Sequence, residues 1–479
     1  MAKPADYEGA ADQWLSGMKA KDMPVILADG ALHYYRHGYY TAGVERDDFF
    51  RAAMSRACSG MGITFSKEEM AMWRQVKFAL AGKDEDGFGK RMDQQPLLAC
   101  RNCVLDTETM ETHEHSPDIY TTRFVNVEYD PKAKCPAWLA TLERAFADKD
   151  DDDREELIQL LAEFFGVSVI GKKHLPRDLR KAVFLFGPSG TGKSSVADVL
   201  AELFPRDKIA NATVRETSGR FGQANLLGML AWIADEAVDG KHSASASLLK
   251  RIFDGQPLTI DQKYMPSVKA AFEGAVVFTA NHALVVDEES DAVFRRVLPI
   301  EFTRRFSAKE AKEQLGKTGR LVPFLKERGE FPGILNWALK AARGAIDRGD
   351  YVDVESVRRV HKTWNSDRSP AADFLEQATE YDPKVYNSAR VIAVAAHNYA
   401  RRQHGARGSK TDAQRTVADA VKSVHPLVRT GKRVYMGGRQ SYAYAGLKLN
   451  EFGLSVVKQA QEEGDFDLGE KLELNKGSM

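Results

Sequence analysis

The feature that most constrains this chain is a glycine-rich octapeptide, GPSGTGKS, which lies between an apolar run and an amphipathic run. It begins at Gly187 and fits the pattern GxxxxGK[ST] at every fixed position. KAVFLFG before it predicts a buried strand, and SSVADVLAELFP after it predicts a helix. Glycines let the backbone N–H groups turn toward phosphate oxygens, and a helix amino terminus adds a positive dipole end. The alternative is a chance match, which the flanking strand and helix argue against.

The loop therefore predicts a site for ATP and Mg²⁺. We expect the Lys193 ammonium to bridge the β- and γ-phosphates and the Ser194 hydroxyl to be a Mg²⁺ ligand. The residues expected to contact the nucleotide are Gly187, Pro188, Ser189, Gly190, Thr191, Gly192, Lys193, Ser194 and Ser195.

Two further apolar runs end in polar residues. LGMLAWIADE ends in Asp235 and Glu236, and GAVVFTAN ends in Asn281. We expect Asp235 to hold Mg²⁺ through water, and Glu236 to orient and deprotonate the attacking water. Asn281 would help to orient that water, because ligand sites in open α/β sheets lie at the carboxyl ends of strands. The alternatives are a solvated pair of strand-end acids and an asparagine that caps a loop.

Composition excludes several classes of protein. A chain of 479 residues has room for two to four domains, and a hydrophobic content of 43% with 28% charged residues is typical of globular proteins. The sequence has neither a signal-like amino terminus nor an apolar run of ~18 residues, so we expect no membrane association and a cytoplasmic location in a bacterial host. The four cysteines include a lone CxxC at Cys100 and Cys103, and without a second pair ordinary thiols are favoured over zinc.

The chain divides into regions of different pattern. Helical periodicity dominates the start, short β-like runs and a helical pair follow, and strands then alternate with helices, which predicts an α/β fold with a largely parallel sheet. The predicted regions are 1–95 (mostly helical), 96–175 (accessory or collar), 176–310 (P-loop ATPase), 311–365 (helical extension), 366–450 (winged-helix-like) and 451–479 (tail).

Two adjacent arginines, Arg295 and Arg296, precede the apolar run VLPIEF. An arginine that reaches the γ-phosphate of a neighbouring subunit stabilises the charge of the transition state and makes hydrolysis depend on assembly. Such a pair on its own is usually surface charge. Its position after the glycine loop, the acidic strand end and Asn281 favours the catalytic interpretation.

The order and spacing of these motifs resemble the superfamily 3 helicases, in particular the ATPase part of phage and plasmid primase-helicases. LLKRIFDGQPLTIDQKY resembles an intermediate motif of that family, with Asp254-Gly255 where the family has GD. LLACRNCVLDTETMETHEHSPDIYTTRFVNVEYDP resembles its accessory region, with Asn102-Cys103 where NG is usual. The resemblance covers roughly residues 95 to 450, and the primase polymerase module has no counterpart.

The resemblance implies an AAA+-like ATPase core that assembles into a ring, as a hexamer, with a separate primase or polymerase as partner. It makes Arg296 the arginine finger and Arg295 its neighbour or a sensor. It also places the segment DQKYMPSVK in the pore of the ring, where Lys263, Tyr264 and Lys269 would contact single-stranded DNA through phosphates and base stacking. An ordinary exposed β-turn is the alternative for this segment.

The carboxyl-terminal region is basic in an otherwise neutral chain. Between Lys384 and Lys448 there are thirteen lysines and arginines and two aspartates, an excess of eleven positive charges. Three helical patterns followed by a hairpin that turns at Gly437-Gly438 predict a winged-helix domain that binds duplex or origin DNA. A solvated charged face is the alternative. The residues expected at the DNA are Arg415, Lys422, Lys432, Arg433 and Arg439.

The sequence thus favours an ATP-dependent replicative DNA helicase of a phage or mobile element. The alternative is an origin-binding initiator that uses ATP for assembly rather than for unwinding. A nucleotide or small-molecule kinase would leave the arginine pair and the basic region unexplained.

Overall fold

The structure is a computed structural model that describes residues 5–45, 47–82, 91–235, 246–262, 265–281, 291–368, 370–403, 417–418, 420–421, 424–425, 427–436, 439–462 and 474–475. The chain forms two compact units, Met1–Val357 and Arg358–Met479. The boundary predicted from sequence between residues 365 and 366 falls inside the helix Glu355–Arg368. No helix within the described ranges is both long and apolar enough to cross a membrane.

The amino-terminal region contains helices around a small antiparallel sheet of order β1-β2-β3. Trp14 anchors its core, with its ring 5.5 Å from that of Trp73 and 6.1 Å from that of Phe50. The three strands were not predicted from sequence. The elements are α1 (Tyr7–Lys19), β1 (Val25–Ala28), β2 (Ala31–Arg36), β3 (Tyr39–Ala42), α2 (Asp48–Cys58) and α3 (Phe65–Ala81).

The accessory region has a second small antiparallel sheet and two helices. Its elements are β4 (Leu97–Ala99), β5 (Val104–Asp106), β6 (Thr112–His113), α4 (Pro136–Ala145) and α5 (Asp151–Ile170). The predicted strand in TTRFVNVEYDP is wrong, because the run forms only a bridge between Ala99 and Phe124. There Ala99 N donates to Arg123 O at 3.0 Å and Val125 N donates to Ala99 O at 2.9 Å.

Helix α5 packs closely against a later helix, α12 (Phe331–Arg348), which the structure places beside it despite the long separation in sequence. A Cβ on Gly166 would lie 2.1 Å from Ala338 O, so only glycine fits where the helices approach. The fully buried Glu163 carboxylate accepts from Arg348 Nη2 and from Val352 N, each at 2.8 Å. Satisfying both acceptor oxygens offsets the cost of burying this charge.

The centre of the first unit is a five-stranded parallel sheet of order β13-β7-β12-β9-β8, with the glycine loop after β7. A two-stranded hairpin, β10-β11, precedes β12. The elements are β7 (Ala182–Phe186), α6 (Lys193–Ala201), β8 (Ile209–Ala210), α7 (Val214–Ser218), β9 (Ala231–Ala234), α8 (Ala246–Phe253), β10 (Leu258–Gln262), β11 (Met265–Ala270), β12 (Ala275–Ala280), α9 (Asp291–Phe294), β13 (Val297–Glu301), α10 (Ala308–Leu315) and α11 (Leu321–Glu327), followed by α12.

The second unit combines helices with a four-stranded antiparallel sheet of order β15-β16-β14-β17. Strand β14, in the middle of this sheet, was not predicted from sequence. The buried Asn387 helps to fix the register of β14 against β16, because its Nδ2 donates to Leu447 O at 2.9 Å. The elements, after the connecting helix α13 (Glu355–Arg368), are α14 (Pro370–Ala378), β14 (Thr379–Ser388), α15 (Ala389–Gln403), β15 (Arg429–Met436), β16 (Arg439–Leu449), α16 (Glu451–Glu462) and β17 (Leu474–Asn475).

Candidate nucleotide site and nucleic-acid contacts

The glycine loop joins the end of β7 to the start of α6. Gly187, Gly190 and Gly192 have φ values of 133°, 81° and 92°, which lie in the region that favours glycine. A Cβ on Gly187 would lie 2.0 Å from Phe302 O, so this position excludes any side chain. Pro188, Ser189 and Ser194 are exposed, Ser195 is half-buried, and the Thr191 hydroxyl donates to Pro188 O at 2.9 Å. The loop therefore has one solvent-exposed face, and its opposite side packs against the backbone of Phe302.

The Lys193 ammonium lies over the loop. Nζ donates to Gly187 O at 2.6 Å and to Pro188 O at 2.7 Å, and it lies 3.4 Å from Asn281 Oδ1. Burial lowers the pKa of Lys193 below its ordinary value, and the nearby Asp235 carboxylate opposes that shift. The sequence-predicted lysine and asparagine are thus in contact.

The end of β9 meets the end of β12 beside the loop. Phe278 is in register with Ala234, and Ala280 with Phe186, so Asp235 and Asn281 follow strands that end at one edge of the sheet. The Thr279 hydroxyl, buried within β12, donates to Asp235 Oδ1. Sequence reasoning missed Thr279, although it is the one hydroxyl residue in the run GAVVFTAN. Glu236 lies outside the described residues.

These residues fit a magnesium-bound triphosphate. The loop offers backbone donors at the amino terminus of α6, an ammonium group and an exposed Ser194 hydroxyl, all suited to phosphate and its metal. Asp235 is exposed and supplies the oxygen ligand that Mg²⁺ prefers, with Thr279 fixing the orientation of the carboxylate.

The two arginines before β13 differ in their surroundings. The Arg295 side chain is exposed, whereas only 17% of the Arg296 side chain is accessible. Arg296 Nη2 donates to Asp254 Oδ2 at 3.0 Å, and Arg296 Nε donates to Asp254 Oδ1. The predicted finger, Arg296, is therefore engaged within its own chain, and Arg295 is the arginine of the pair that faces solvent.

Asp254 is the centre of this internal network. It is 4% exposed and also accepts from Arg177 Nη2 at 3.2 Å. Burial raises the pKa of Asp254, but hydrogen bonds from Arg296 and Arg177 outweigh burial, so that the pKa lies below its ordinary value. From sequence, Asp254 stood out only because this chain has Asp254-Gly255 where the resembling family has GD. The structure shows that it joins the end of α8 to the start of β13.

The hairpin β10-β11 carries part of the predicted DNA contact. Lys269 is exposed on β11, opposite Thr259. Asp261 accepts from Ser267 Oγ at 2.7 Å and from Arg220 Nε at 3.3 Å, which ties the hairpin to the segment before β9. Lys263 and Tyr264 lie outside the described residues. The structure thus places one of the three predicted pore residues, on the outer surface of the hairpin.

The carboxyl-terminal hairpin carries the described part of the second predicted DNA contact. Arg433 faces Tyr442 across the two strands, donates to its hydroxyl at 3.1 Å and lies over its ring at 5.4 Å. Lys432 lies on β15 and Arg439 on β16, and their side chains are outside the described part of the chain. Arg415 and Lys422 also lie outside it. Arg433 and the exposed Tyr442 thus form a cationic and aromatic pair on the strand surface.

The four cysteines are buried free thiols. Cys100 N donates to Cys103 O at 2.8 Å, so the CxxC closes the β4-β5 turn. Within the described ranges no cluster of three or more His, Cys, Asp or Glu side chains is arranged to hold a metal ion.

Two family models match parts of the chain. Residues 60–147 match a family described as "D5 N terminal like". Residues 185–296 match a "Family of unknown function (DUF5906)". The second match begins within β7 and ends at Arg296, and it therefore includes the glycine loop, Asp235, Asn281 and both arginines.

Similar solved structures include two of an NrS-1 C terminal region. The "A form apo structure of NrS-1 C terminal region-CTR" is 15% identical, with 90% of this chain and 98% of that chain covered and a TM-score of 0.47. A second apo structure of the NrS-1 C terminal region is also 15% identical, with 91% and 99% covered and a TM-score of 0.43.

Proposed function

We propose that this chain is an ATP-dependent motor that moves along DNA and separates its strands during the replication of a phage or mobile element. The observation that carries the proposal is the convergence of Lys193, Asn281 and Asp235 at one edge of the parallel sheet. That arrangement suits hydrolysis of a triphosphate rather than simple phosphate binding, because polar groups line both the phosphate loop and the neighbouring strand ends. The D5-like match over residues 60–147 supports a phage replication protein of the primase-helicase type.

In this proposal Mg²⁺ supplies charge neutralisation at the phosphates when it is bound with ATP. Lys193 would exchange its loop carbonyls for phosphate oxygens, and Ser194, together with Asp235 through water, would hold the metal. Asn281 orients the attacking water, and Glu236 takes its proton. Each of these roles follows from residue type and position at the strand ends.

A ring of subunits, a hexamer in our proposal, completes the site. We assign the arginine that reaches the neighbour's nucleotide to Arg295, because Arg296 is engaged by Asp254 in its own subunit. An exposed guanidinium is free to cross a subunit boundary and stabilise the charge that develops on the γ-phosphate. Arg296 then serves as the anchor that fixes the backbone beside Arg295.

DNA would contact two surfaces. The β10-β11 hairpin presents Lys269, with Lys263 and Tyr264 at its turn in sequence, to a single strand in the ring pore. The basic second unit presents Arg433 and Tyr442 to duplex or origin DNA. Helices, a central strand and a hairpin follow in an order that supports the winged-helix assignment.

Strand displacement on forked DNA tests the proposal. The wild-type protein should displace a strand with ATP from a fork carrying a single-stranded tail of one polarity, and Lys193→Ala should not. Lys326→Ala is the matched control, because Lys326 pairs with Glu202 at the opposite end of α6 from the loop. Absence of ATP hydrolysis by the wild-type protein would overturn the assignment.

The second candidate is an origin-binding initiator, favoured by the excess of eleven positive charges between residues 384 and 448. It predicts ATP-dependent assembly on duplex DNA with no strand displaced from either fork. The same experiment therefore separates the two functions.

A further inference from the structure

A cavity next to the glycine loop has no role in the chemistry described above. Residues 302–306 leave β13 and run along the loop. Phe302 N donates to Phe186 O at 2.8 Å, and Phe306 N donates to Gly190 O at 3.0 Å. A Cβ on Gly192 would lie 3.6 Å from the Phe306 ring. The Phe306 ring therefore lies beside Gly192, where an added methyl group would reach van der Waals range of it, in the loop that we assign to the phosphates.

The cavity opens beyond this ring. It measures about 150 Å³ and is lined by Arg144, Arg304, Phe306, Glu310, Glu313 and Gln314. A volume of roughly 150 Å³ is enough to accept one aromatic ring. The cavity is thus large enough for one aromatic ring, and Phe306, one of its lining residues, lies next to the glycine loop.

The wall of the cavity is a stacked pair. The Arg304 guanidinium lies over the Phe306 ring with 4.6 Å between its central carbon and the ring centroid. Arg304 Nη2 donates to Glu310 Oε1 at 2.6 Å, which fixes the plane of the guanidinium. Nucleobases stack on both aromatic rings and arginine planes, so this pair offers a flat surface suited to a base.

A purely structural role explains only part of this arrangement. Glu310 accepts from Ser307 N and from Ser307 Oγ, each at 2.8 Å, and so caps the start of α10. The cap accounts for Glu310 and for one Arg304 nitrogen. It does not account for Arg304 Nη1, which is buried without an acceptor among the described residues, nor for Arg144 on another side of the cavity. Arg144 Nε donates to Ala140 O at 3.1 Å, so Arg304 Nη1 is the group here whose burial calls for an explanation, and a bound ligand would supply one.

We propose that the cavity between Arg304–Phe306 and Arg144 binds the base of the nucleoside triphosphate whose phosphates the glycine loop holds. The base stacks on the Arg304–Phe306 pair, and the Glu313 carboxylate offers an acceptor to its polar edge. Gln314 Nε2 donates to Thr141 Oγ1 at 2.8 Å, which leaves its carbonyl oxygen for the base. This inference rests on the proposed nucleotide site. It adds a binding site for the base, the group that a nucleotide has and polyphosphate lacks.

The test compares the affinities of the full-length protein for Mg-ATP and for magnesium tripolyphosphate, which has no base. Phe306→Ala and Arg304→Ala should each weaken ATP binding roughly tenfold or more and leave tripolyphosphate binding unchanged, because only ATP has a base to stack on the pair. Phe306→Tyr should retain ATP affinity. Arg144→Ala, an exposed position that leaves the fold intact, should also weaken ATP binding alone.

Arg328→Ala is the matched control. Arg328 stacks on Phe324 at 4.5 Å, and α11, which carries Phe324, contacts the far end of α6 through Lys326 and Glu202. This variant should bind both ligands as the wild type does. Unchanged ATP affinity in Phe306→Ala and Arg144→Ala, or an equal loss for both ligands, would overturn the base site. Failure of the wild-type protein to bind either ligand would instead overturn the nucleotide site itself.

Discussion

Arg296 and Asp254 form a two-point ion pair in which Nε and Nη2 of the arginine contact different oxygens of one carboxylate. Arg177 donates to the same carboxylate at 3.2 Å. The pair connects the end of α8 to the residue just before β13. The structure therefore distinguishes the two adjacent arginines differently from the sequence: Arg296, predicted as the finger, is an internal anchor, and Arg295 is the exposed one.

This separation gives opposite expectations for the two arginines. Arg295→Ala should lower ATP hydrolysis about a thousandfold with little change in the free energy of unfolding, because an arginine finger contributes at least that factor. Arg296→Ala should destabilise the fold by about 3–5 kcal/mol, because it leaves the Asp254 carboxylate buried with fewer partners. Urea unfolding and steady-state ATPase assays measure the two effects.

Mixing subunits checks that Arg295 acts on a neighbour. Arg295→Ala protein mixed with Glu236→Gln protein should regain some activity, because an intact loop and an intact arginine then meet at some boundaries. If no mixing ratio restores hydrolysis while the ring is intact, Arg295 does not act across subunits.

The glycine loop offers a comparison between two glycines. Gly187→Ala should destabilise the fold strongly and abolish nucleotide binding, because the added methyl group would meet Phe302 O at 2.0 Å. At Gly190, where φ is 81°, the same Cβ meets no atom within 4 Å, so Gly190→Ala should cost only the backbone strain of about 1–2 kcal/mol. Thermal unfolding provides the measurement. Equal losses at both positions would contradict the close contact with Phe302.

Thr279 should control the metal dependence of hydrolysis. Thr279→Val keeps the shape of the side chain but removes the hydroxyl that donates to Asp235, so the carboxylate loses its fixed orientation. The Mg²⁺ concentration needed for half-maximal ATPase activity should rise about 10- to 100-fold. Thr363→Val, on a helix of the other unit, is the control and should leave that concentration unchanged. An unchanged value for Thr279→Val would remove Thr279 from the site.

The second unit should contribute to DNA affinity through Arg433. Arg433→Gln should weaken duplex binding without loss of basal ATPase activity. The slope of log affinity against log salt concentration should become shallower by about 1, because one phosphate contact is lost. Lys448→Gln is the control, because Lys448 already pairs with Glu380 at 2.6 Å. Fluorescence anisotropy over a series of salt concentrations measures both. If the salt dependence of the affinity is the same in the wild type and in Arg433→Gln, Arg433 does not contact DNA phosphates.

The buried Lys172 should make the stability of the first unit depend on pH. Its Nζ donates to Ile252 O at 2.8 Å and to Phe272 O at 3.3 Å, and burial lowers its pKa to about 7. Between about pH 7 and the ordinary lysine value near 10.5, the unfolded chain binds a proton that the folded chain does not. Raising the pH through that window therefore stabilises the fold.

Comparing melting temperatures at pH 7 and pH 9 isolates this effect. The wild type should gain stability relative to Lys172→Met as the pH rises. Lys181→Met, which removes an ion pair with Asp350, should show the same pH trend as the wild type. Parallel pH profiles for the wild type and Lys172→Met would show that the Lys172 charge has no part in the trend.

The parallel sheet was the most predictable part of the fold, because its strands are fully apolar runs that end in polar residues. Local periodicity also located α4, α5, α6 and the carboxyl-terminal hairpin. The three strands between Val25 and Ala42 were missed, because their tyrosines and histidine do not alternate cleanly with apolar residues. Strand β14 was missed because it contains Pro383 and charged residues, and it becomes a strand through pairing with the distant β16.

The candidate site divides in the same way. Gly187, Lys193, Asp235 and Asn281 could be predicted as candidates from sequence because each lies at a fixed place relative to a strand end. The partnership of Arg296 with Asp254 depends on the path of the chain between α8 and β13, which no local pattern contains. The place of Phe306 beside the glycine loop depends likewise on the pairing of β13 with β7.

The carboxylate of Glu330, only 4% exposed, accepts from Ala137 N and Trp138 N at 2.9 Å and so completes the beginning of α4. A side chain that follows the central sheet in sequence thus caps the amino terminus of a helix that precedes the sheet. A gene fragment that encoded residues 176–310 alone would lack both Glu330 and α4. It would also lack α5 and α12, and the apolar side of the sheet that they cover would be exposed. Recombination that moves the glycine loop and its parallel sheet between genes is therefore expected to carry both flanking segments along with them.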